Sequence, residues 1–365
     1  MVGAPSAATT SDDPLVSGSG IRSYLSRLSS SVSGLATRYA KVLRQVTSTL
    51  VGKAEITSGQ VAEQAGVSPG QLHRFWQALG FPQPPRNKRL FTSTDVEILR
   101  TGRRILEEGG DPEELLQITR VTGQALARMA DAHIAPDAEK IETVMRCTET
   151  SQRAAAEAIS EISASLTSNF EPFLAYAWRR HLLASVSRLA AAGAEELGVQ
   201  DGGTVGFADL VDFTAISRQL SDRELGHMVT RFQQLAYDHV PDRGGRIVKI
   251  VGDEIMFSTS DTTAAAEIAL ALAEACHEDS QVPEVRIGMA TGAMLAWEGD
   301  LYGPTVNLAS RLVEVARPGT AVVSDELCEK LRAVPAFALR KLRRVKLKGV
   351  GKTRVWALQR PKAAS

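Results

Sequence analysis

From residue 203 onward the sequence predicts an α+β domain, because short β-rich runs alternate there with longer segments of helical periodicity. Ser221 and Glu224 have the spacing of a capping box and mark the start of the first long helix. The elements follow the order β-α-β-β-α-β, which is that of a ferredoxin-like fold. We predict strands at 205–208, 246–251, 255–259 and 285–291, helices near 222–239 and 261–277, and further strands near 321–324, 343–348 and 354–358 that extend the sheet.

The first 200 residues have a different pattern. Residues 1–20 are rich in Ser, Gly, Ala and Thr and lack the apolar residues that would offset ordering entropy, so we predict a flexible N-terminus. Residues 21–200 predict an all-helical domain. Its last helix, 170–197, has an apolar stripe that either packs on its own domain or transmits a signal to residues 201–365. The stripe consists of Leu174, Trp178, Leu182, Val186 and Leu189.

A helix-turn-helix-like segment lies at 57–80 within the all-helical domain. Thr57 and Ser68 have the positions of helix caps, and a proline follows the second of them. The second helix has few basic side chains and contains Phe75 and Trp76, which favours protein packing over entry into a DNA groove. Nucleic acid is therefore not an expected partner.

The length allows two domains or one large one, and the composition is sufficient for buried cores. Lys plus Arg and Asp plus Glu are equal at 42 each, and 44% of the 365 residues are hydrophobic. No apolar run approaches the roughly 20 residues needed to span a bilayer, and the first residues lack a signal-peptide pattern. Three scattered cysteines fit a reducing compartment better than a disulfide framework. We therefore expect a cytoplasmic protein.

Two aspartates in the last third of the chain are candidates for a metal site. Asp209 and Asp253 each follow a predicted strand, so a strand and a hairpin could hold both carboxylates at one sheet edge. Hard oxygen ligands of this kind suit Mg²⁺ or Mn²⁺ carrying substrate phosphates. Taken alone, each aspartate is more often a helix cap or a turn former. The residues that surround them favour the metal site.

Three more polar residues follow in the chain. Asp300 precedes a tight turn, and Asn307 and Arg311 lie four residues apart on a predicted helix, so their side chains share one helix face. The Asp209 segment, the Lys-x-x-Gly-Asp segment that ends at Asp253 and the Asn-x-x-x-Arg segment occur in the order and spacing of one known family. In these segments the chain resembles the class III nucleotidyl cyclases.

The resemblance covers residues from about 203 to 360. The whole layout is similar to that of soluble actinobacterial adenylyl cyclases, in which an all-helical N-terminal domain regulates the catalytic one. It implies a signal-transducing phosphorus–oxygen lyase that converts ATP to 3′,5′-cyclic AMP and pyrophosphate, with a regulatory domain at 21–200 and a catalytic domain at 201–365. It also implies two Mg²⁺ or Mn²⁺ ions per active site.

The resemblance assigns roles to individual residues. Asp209 and Asp253 match both metal ligands of the family, and the Leu210 carbonyl is a candidate for a further oxygen ligand. Asn307 would orient the ribose, and Arg311 would stabilise the charge that develops on the phosphate.

The resemblance implies that Lys249 and Asp300 select the base, because they occupy the two base-reading positions of the family. A donor and an acceptor complement adenine N1 and N6, whereas guanine presents the opposite pattern, so ATP is the expected substrate. Arg286 and Arg354 align with phosphate-contacting positions, although Arg354 replaces what is commonly Lys. The basic run at 340–348 is either a charged edge strand or a substrate contact.

The family's active site is built across a dimer interface, which implies a homodimer with two equivalent sites. One protomer would supply Asp209, Asp253 and Arg286, and the other would supply Lys249, Asp300, Asn307, Arg311 and Arg354. Asp212 departs from the family, because many relatives have Gly at this position. It is either a helix cap or a third carboxylate that alters the metal preference.

Two functional hypotheses follow. The first is an adenylate cyclase that its N-terminal domain regulates. The alternative is a helix-turn-helix regulator whose cyclase-like module senses nucleotide or dimerises without turnover. The complete set of site residues favours the enzyme. The regulatory input stays open, because His73, His133 and His181 make pH one candidate and a small apolar ligand such as a lipid is another.

Overall fold

The computed structural model describes residues 47–84, 87–135, 149–192 and 199–361. The chain divides into two compact units, residues 1–183 and 184–365. The N-terminal segment 1–20, predicted to be flexible, lies outside the described residues. Within the described ranges, no helix is both long and apolar enough to cross a membrane.

The first unit is mainly helical. Its elements are β1 (Ile56–Thr57), α1 (Ser58–Ala65), α2 (Pro69–Ala78), β2 (Arg89–Phe91), α3 (Ser93–Glu107), α4 (Pro112–Ile134) and α5 (Glu149–Ala192), which extends beyond residue 183. The first four helices start at side-chain caps, where Thr57, Ser68, Thr92 and Asp111 accept hydrogen bonds from backbone amides. Gly66 ends α1 in the left-handed conformation, with φ of 70°.

The core of the first unit includes both aromatic residues of α2. Phe75 and Trp76 are half-buried and pack against the buried cluster that contains Phe91. The rings of Trp76 and Phe91 lie 4.8 Å apart, and Trp76 Nε1 donates to the Pro82 carbonyl at 3.1 Å. The second helix of the helix-turn-helix-like pair therefore turns its aromatic side chains toward protein, as the packing interpretation expects.

The second unit is a sheet with helices on both faces. Its elements are β3 (Val199–Leu210), α6 (Phe213–Ile216), α7 (Asp222–His239), β4 (Arg246–Val251), β5 (Glu254–Thr259), α8 (Thr262–Glu278), β6 (Val285–Trp297), β7 (Asp300–Tyr302), α9 (Pro304–Val313), β8 (Thr320–Ser324), α10 (Asp325–Leu331), β9 (Ala338–Lys341), β10 (Val345–Leu347), β11 (Gly351–Thr353) and β12 (Val355–Gln359). The sheet order is β4-β5-β3-β6-β8-β12-β9, and β7 pairs with β6. Only the β6–β8 pair is parallel among the described strands.

Strand β3 lies at the centre of this sheet and contributes to a core on each face. Ala208 and Leu210 belong to the core that α7, α8 and α10 cover, whereas Val205 and Phe207 belong to the core beneath α9. This alternation is what a central strand with two buried faces requires. It fixes which residues of β3 can share a face with α9.

The predicted α+β fold class is confirmed, including the ferredoxin-like order β3-α7-β4-β5-α8-β6. The helix at 222–239 and the strand at 246–251 have the predicted bounds. Strands β3 and β6 are longer than predicted, and the sequence analysis missed β1, β2, β7, β9, β11, α6 and α10.

The strand predicted near 343–348 does not extend the sheet. Strand β10 pairs with β11 in a separate hairpin. Leu347 of β10 packs with Leu312 and Val355 in a small hydrophobic core that is distinct from the two larger ones, and this packing holds the hairpin apart from the sheet. Strand β9 is one of the two edge strands of the sheet and carries the exposed Arg340 and Lys341. The start of the basic run is thus a charged edge strand.

Gly288 allows α9 to approach β6 closely. A Cβ atom there would lie 2.4 Å from Val313 N and 2.5 Å from Ala309 O, and these backbone atoms cannot move aside by changing a rotamer. We expect Gly288→Ala to lower the free energy of unfolding by about 1–3 kcal/mol, as measured by urea denaturation.

Gly226→Ala is the matched control, because a Cβ atom at this position of α7 meets nothing within 4 Å. It should leave the free energy of unfolding unchanged or raise it by up to about 1 kcal/mol. Equal stability of Gly288→Ala and the parent protein would contradict the close contact.

Candidate active site

The structure brings Asp209 and Asp253 to one end of the sheet. Asp209 is the second-last residue of β3, and Asp253 follows Gly252 in the turn between β4 and β5. Gly252 has φ of 62°, a conformation that suits glycine in so tight a turn. The turn is tied to β3 because Leu210 N donates to the Asp253 carbonyl at 3.3 Å.

The two carboxylates repel each other. Burial raises the pKa of Asp209 to about 6, and the negative charge of Asp253 and a hydrogen bond to its side chain contribute to the rise. Burial, followed by the charge of Asp253, also raises the pKa of Glu254, which pairs with Asp209 across the β3–β5 ladder. A divalent cation between the carboxylates would remove this repulsion.

The donor set fits a hard divalent cation that also carries substrate. Among the described residues no three His, Cys, Asp or Glu side chains form a metal-binding group. The acid pair and the Leu210 carbonyl would therefore share such an ion with water and phosphate oxygens. Mg²⁺ is commonly held in this way, by one or two carboxylates plus phosphates.

A cleft of about 360 Å³ opens beside the acid pair. Arg286 lines it and pairs directly with Asp209 across the β3–β6 ladder. The Arg286 Nε atom is buried and has no hydrogen-bond partner. A buried donor without a partner is costly, so a bound anion would stabilise it. Thr214 and Arg218 also line the cleft, and the sequence analysis had singled out neither.

Asp212 also lines the cleft, in the left-handed conformation with φ of 56° and ψ of 24°. Its side chain makes no capping hydrogen bond, although its carbonyl accepts from Ala215 N and Ile216 N. Asp212 therefore has the N-cap position of α6, but its side chain does not cap the helix. The backbone conformation is one in which glycine is favoured.

Lys249 and Asp300 form a second group. Lys249 Nζ lies 2.5 Å from Asp300 Oδ2, although the two residues belong to β4 and β7. The other oxygen, Asp300 Oδ1, accepts from Leu301 N at 2.8 Å. Both side chains are partly exposed, so a planar base could reach the remaining N–H donors of Lys249 and the carboxylate oxygens of Asp300.

Asn307 and Arg311 form a third group on α9, and neither lines the cleft. Asn307 is exposed, and Arg311 Nη1 donates to Glu314 Oε1 at 2.6 Å. Arg354 lies apart, between β11 and β12, where its Nη1 is 3.6 Å from Asp325 Oδ2. The predicted site residues are thus divided among separate places on one chain.

Comparisons with known proteins place the chain among its relatives. The family model for the adenylate and guanylate cyclase catalytic domain matches residues 199–360, and that for the adenylate cyclase regulatory domain matches residues 25–183. An adenylate cyclase of Streptomyces coelicolor is 40% identical over 75% of this chain and 71% of its own length. One from Glutamicibacter nicotianae is 34% identical over 79% of this chain and 74% of its own length. The chain belongs to the class III adenylate cyclase family.

This adenylate cyclase also resembles a Mycobacterium tuberculosis protein called a pH-sensitive adenylate cyclase, at 29% identity over 77% of the chain and 71% of that protein. The adenylyl cyclase CyaB from P. aeruginosa has a solved structure with a TM-score of 0.40, 23% identity and coverage of 46% of this chain and 98% of that one. The chain is an enzyme, and the alternative of a regulator without turnover is therefore wrong. Class III cyclases generally use divalent metal ions.

The three aspartates of the cleft should differ in their importance for turnover. We expect Asp209→Asn and Asp253→Asn to lower kcat about 100-fold or more, because each would remove the charge of a candidate metal ligand. Asp212→Gly should keep kcat within about twofold and raise stability by up to about 1 kcal/mol, since its left-handed backbone suits glycine. Cyclic AMP formation at saturating ATP with Mg²⁺ or Mn²⁺ would measure these effects.

Circular dichroism and thermal melting of the three variants would establish that each one is folded. A loss of turnover in Asp212→Gly as large as that in Asp209→Asn would make Asp212 a third metal ligand. Near-normal turnover in Asp209→Asn would contradict the metal assignment itself.

Proposed function

We propose that this adenylate cyclase converts ATP to 3′,5′-cyclic AMP and pyrophosphate by a two-metal mechanism in a site shared between two copies of the chain. The observation that carries the proposal is the division of the site residues. The acid pair and Arg286 share one cleft, whereas Lys249, Asp300 and the α9 pair lie outside its lining. A second copy could bring the two halves together, twice over in a symmetric dimer.

The acid pair and its cleft are the metal and phosphate half of the site. Asp209 and Asp253 would hold two Mg²⁺ or Mn²⁺ ions, with the Leu210 carbonyl as a further ligand. Bound there, the ions would acidify the ribose 3′-hydroxyl and neutralise the triphosphate. Arg286 would donate its free Nε–H to a phosphate oxygen, which satisfies a buried donor that has no partner in the protein.

The α9 residues act on the reacting centre. The ribose 3′-hydroxyl releases its proton to water and its oxygen bonds to the α-phosphorus, while the bond from that phosphorus to the bridging oxygen breaks and pyrophosphate leaves. Asn307 would hold the ribose in line, and Arg311 would neutralise charge on the α-phosphate. The present partner of Arg311 is Glu314, and an exposed pair of this kind contributes only about 0–1 kcal/mol. Arg311 can therefore leave Glu314 for the substrate at little cost.

Lys249 and Asp300 would read the base. Their mutual contact holds an ammonium beside a carboxylate, which matches the acceptor at adenine N1 and the donor at N6. Guanine would present a donor to the lysine and an acceptor to the carboxylate, so both contacts would be repulsive. Arg354 is proposed to contact the triphosphate after leaving Asp325, from which its guanidinium is 3.6 Å away.

Exposed apolar side chains beside both half-sites support the homodimer. Trp297, 53% exposed, pairs with Asp300 across the β6–β7 hairpin. Val251, 61% exposed, lies two residues before Asp253. Large apolar side chains left in water beside a functional group are typical of a contact surface. Docking the half-site of one copy on that of the other would cover the Trp297 and Val251 side chains.

We also propose that residues 21–200 regulate residues 201–365 through the 170–197 segment. The match of residues 25–183 to the adenylate cyclase regulatory domain supports this assignment. Either pH or a small apolar ligand is proposed as the input, and the name of the M. tuberculosis relative supports pH. A cytoplasmic location is proposed as well, since Cys276 and Cys328 are buried free thiols.

Mixing two inactive variants should restore activity if the site is shared. Asp209→Asn chains and Arg311→Ala chains form heterodimers in which one site has both lesions and the other has none. Equal mixing should recover about a quarter of the parental activity, because half of the dimers are mixed and each has one intact site. Cyclic AMP formation after chain exchange, verified by native mass spectrometry, measures the recovery.

The control mixture combines Asp209→Asn with Asp253→Asn. Both lesions lie in the same half of the site, so every dimer has two damaged sites and no activity should return. Recovery in the control, or none in the test mixture despite chain exchange, would count against the shared site.

Exchanging the base-reading pair should weaken the use of ATP. We expect Lys249→Glu combined with Asp300→Cys to lower kcat/KM for ATP about 100-fold or more, because both polar partners of adenine are lost or opposed. Steady-state kinetics with ATP and GTP would test this, with the exposed Lys330→Glu on α10 as the control. Unchanged ATP kinetics in the double variant would refute the base-reading assignment.

A further inference from the structure

Arg218 is a second cation in the cleft beside the acid pair. Arg218 lines the cleft together with Arg286, and the residue is exposed. Within the described part of the chain, Arg218 forms no ion pair with a carboxylate. The mechanism proposed above gives it no role. An arginine that stays unpaired beside three carboxylates needs an explanation.

The local backbone determines where Arg218 lies. Thr214, in α6, is four residues earlier and also lines the cleft. The helical turn continues past α6, since Leu220 N donates to the Ile216 carbonyl. Residues four apart on such a turn share one face. Arg218 therefore belongs to the same wall of the cleft as Thr214.

The charges in the cleft are distributed unevenly. Asp209 pairs with Arg286 across the β3–β6 ladder, and the positive charge of Arg286 acts on the Asp209 carboxylate. Arg218 also lines the cleft, but it follows α6 and does not belong to a strand. It is therefore not held next to the acid pair by strand pairing. Guanidinium groups bind phosphate oxygens in a bidentate manner, with more specificity than a lysine provides. A leaving pyrophosphate gains negative charge and has oxygens for such a contact.

We propose that Arg218 binds the β- and γ-phosphates of ATP and holds the pyrophosphate product, and this inference rests on the function proposed above. Asn307 and Arg311 act at the ribose and the α-phosphate, whereas Arg218 acts at the departing group. Its contact is made to the bound substrate and to the product alike. It therefore affects binding more than the chemical step.

The test uses the full-length protein and three variants. Arg218→Ala removes the guanidinium, and Arg218→Lys keeps the charge without the planar fork. Arg223→Ala is the control, because Arg223 is an exposed arginine at the start of α7 that does not line the cleft. Two readouts are needed: the kinetics with ATP, including inhibition by pyrophosphate, and calorimetric binding of tripolyphosphate with Mg²⁺.

We expect Arg218→Ala to raise KM for ATP about tenfold and to weaken inhibition by pyrophosphate by a similar factor, since one charge-assisted contact is lost. Its kcat should stay within about threefold. Arg218→Lys should recover part of both effects, and Arg223→Ala should match the parent. Tripolyphosphate should bind about tenfold more weakly to Arg218→Ala.

The outcomes separate this inference from the proposed function. Unchanged KM, pyrophosphate inhibition and tripolyphosphate binding in Arg218→Ala, with an active parent, would overturn the inference and leave the proposed function standing. An inactive parent whose tripolyphosphate binding still depends on Arg218 would overturn the proposed function alone. A fall in kcat without any change in polyphosphate binding would give Arg218 a structural role and would also overturn the inference.

Discussion

The hydrogen-bonded register of β3 between β5 and β6 is the constraint on which the site depends. It sets Asp209 opposite Glu254 on one side and opposite Arg286 on the other. A shift by one residue would turn every side chain of β3 to the other face of the sheet. Phe207 and Ala208 are buried in different cores, so such a shift would disrupt both. Packing of apolar residues thereby positions the charged ones.

In the proposed shared site, the same rigidity fixes each half of the site within its own chain. Helix α9 is held against β6 at Gly288, with no space for a Cβ atom, so Asn307 and Arg311 move with the sheet. The acid pair is fixed to the sheet by the β4–β5 turn. If two copies share the site as proposed, these rigid halves would change their fit only through the placement of the two copies. A regulatory domain that altered this placement would control turnover without altering any site residue.

The sequence predicted the elements that have strong local signals and missed those that depend on tertiary contacts. The capping box at Ser221 was enough to locate α7. The start of β3 was missed, because Gln200 and Gly203 have little strand propensity and pair there only with the long end of β6. The residues proposed to bind metal and to read the base were identified by motif. Arg218 has no such motif, and its importance depends on a cleft that only the folded chain reveals.

Repulsion within the acid pair couples the stability of the cleft to the binding of metal and nucleotide. Asp209 and Asp253 repel each other within a partly buried edge, and this repulsion opposes folding of the free chain. Cations that arrive with ATP would relieve it, so binding of the metal–nucleotide complex stabilises the native cleft. The same nucleotide would also contact Lys249 and Asp300 of the second copy. In the proposed shared site, substrate binding and dimerisation would then strengthen each other reciprocally, and a change that weakens the dimer would also weaken the affinity for ATP.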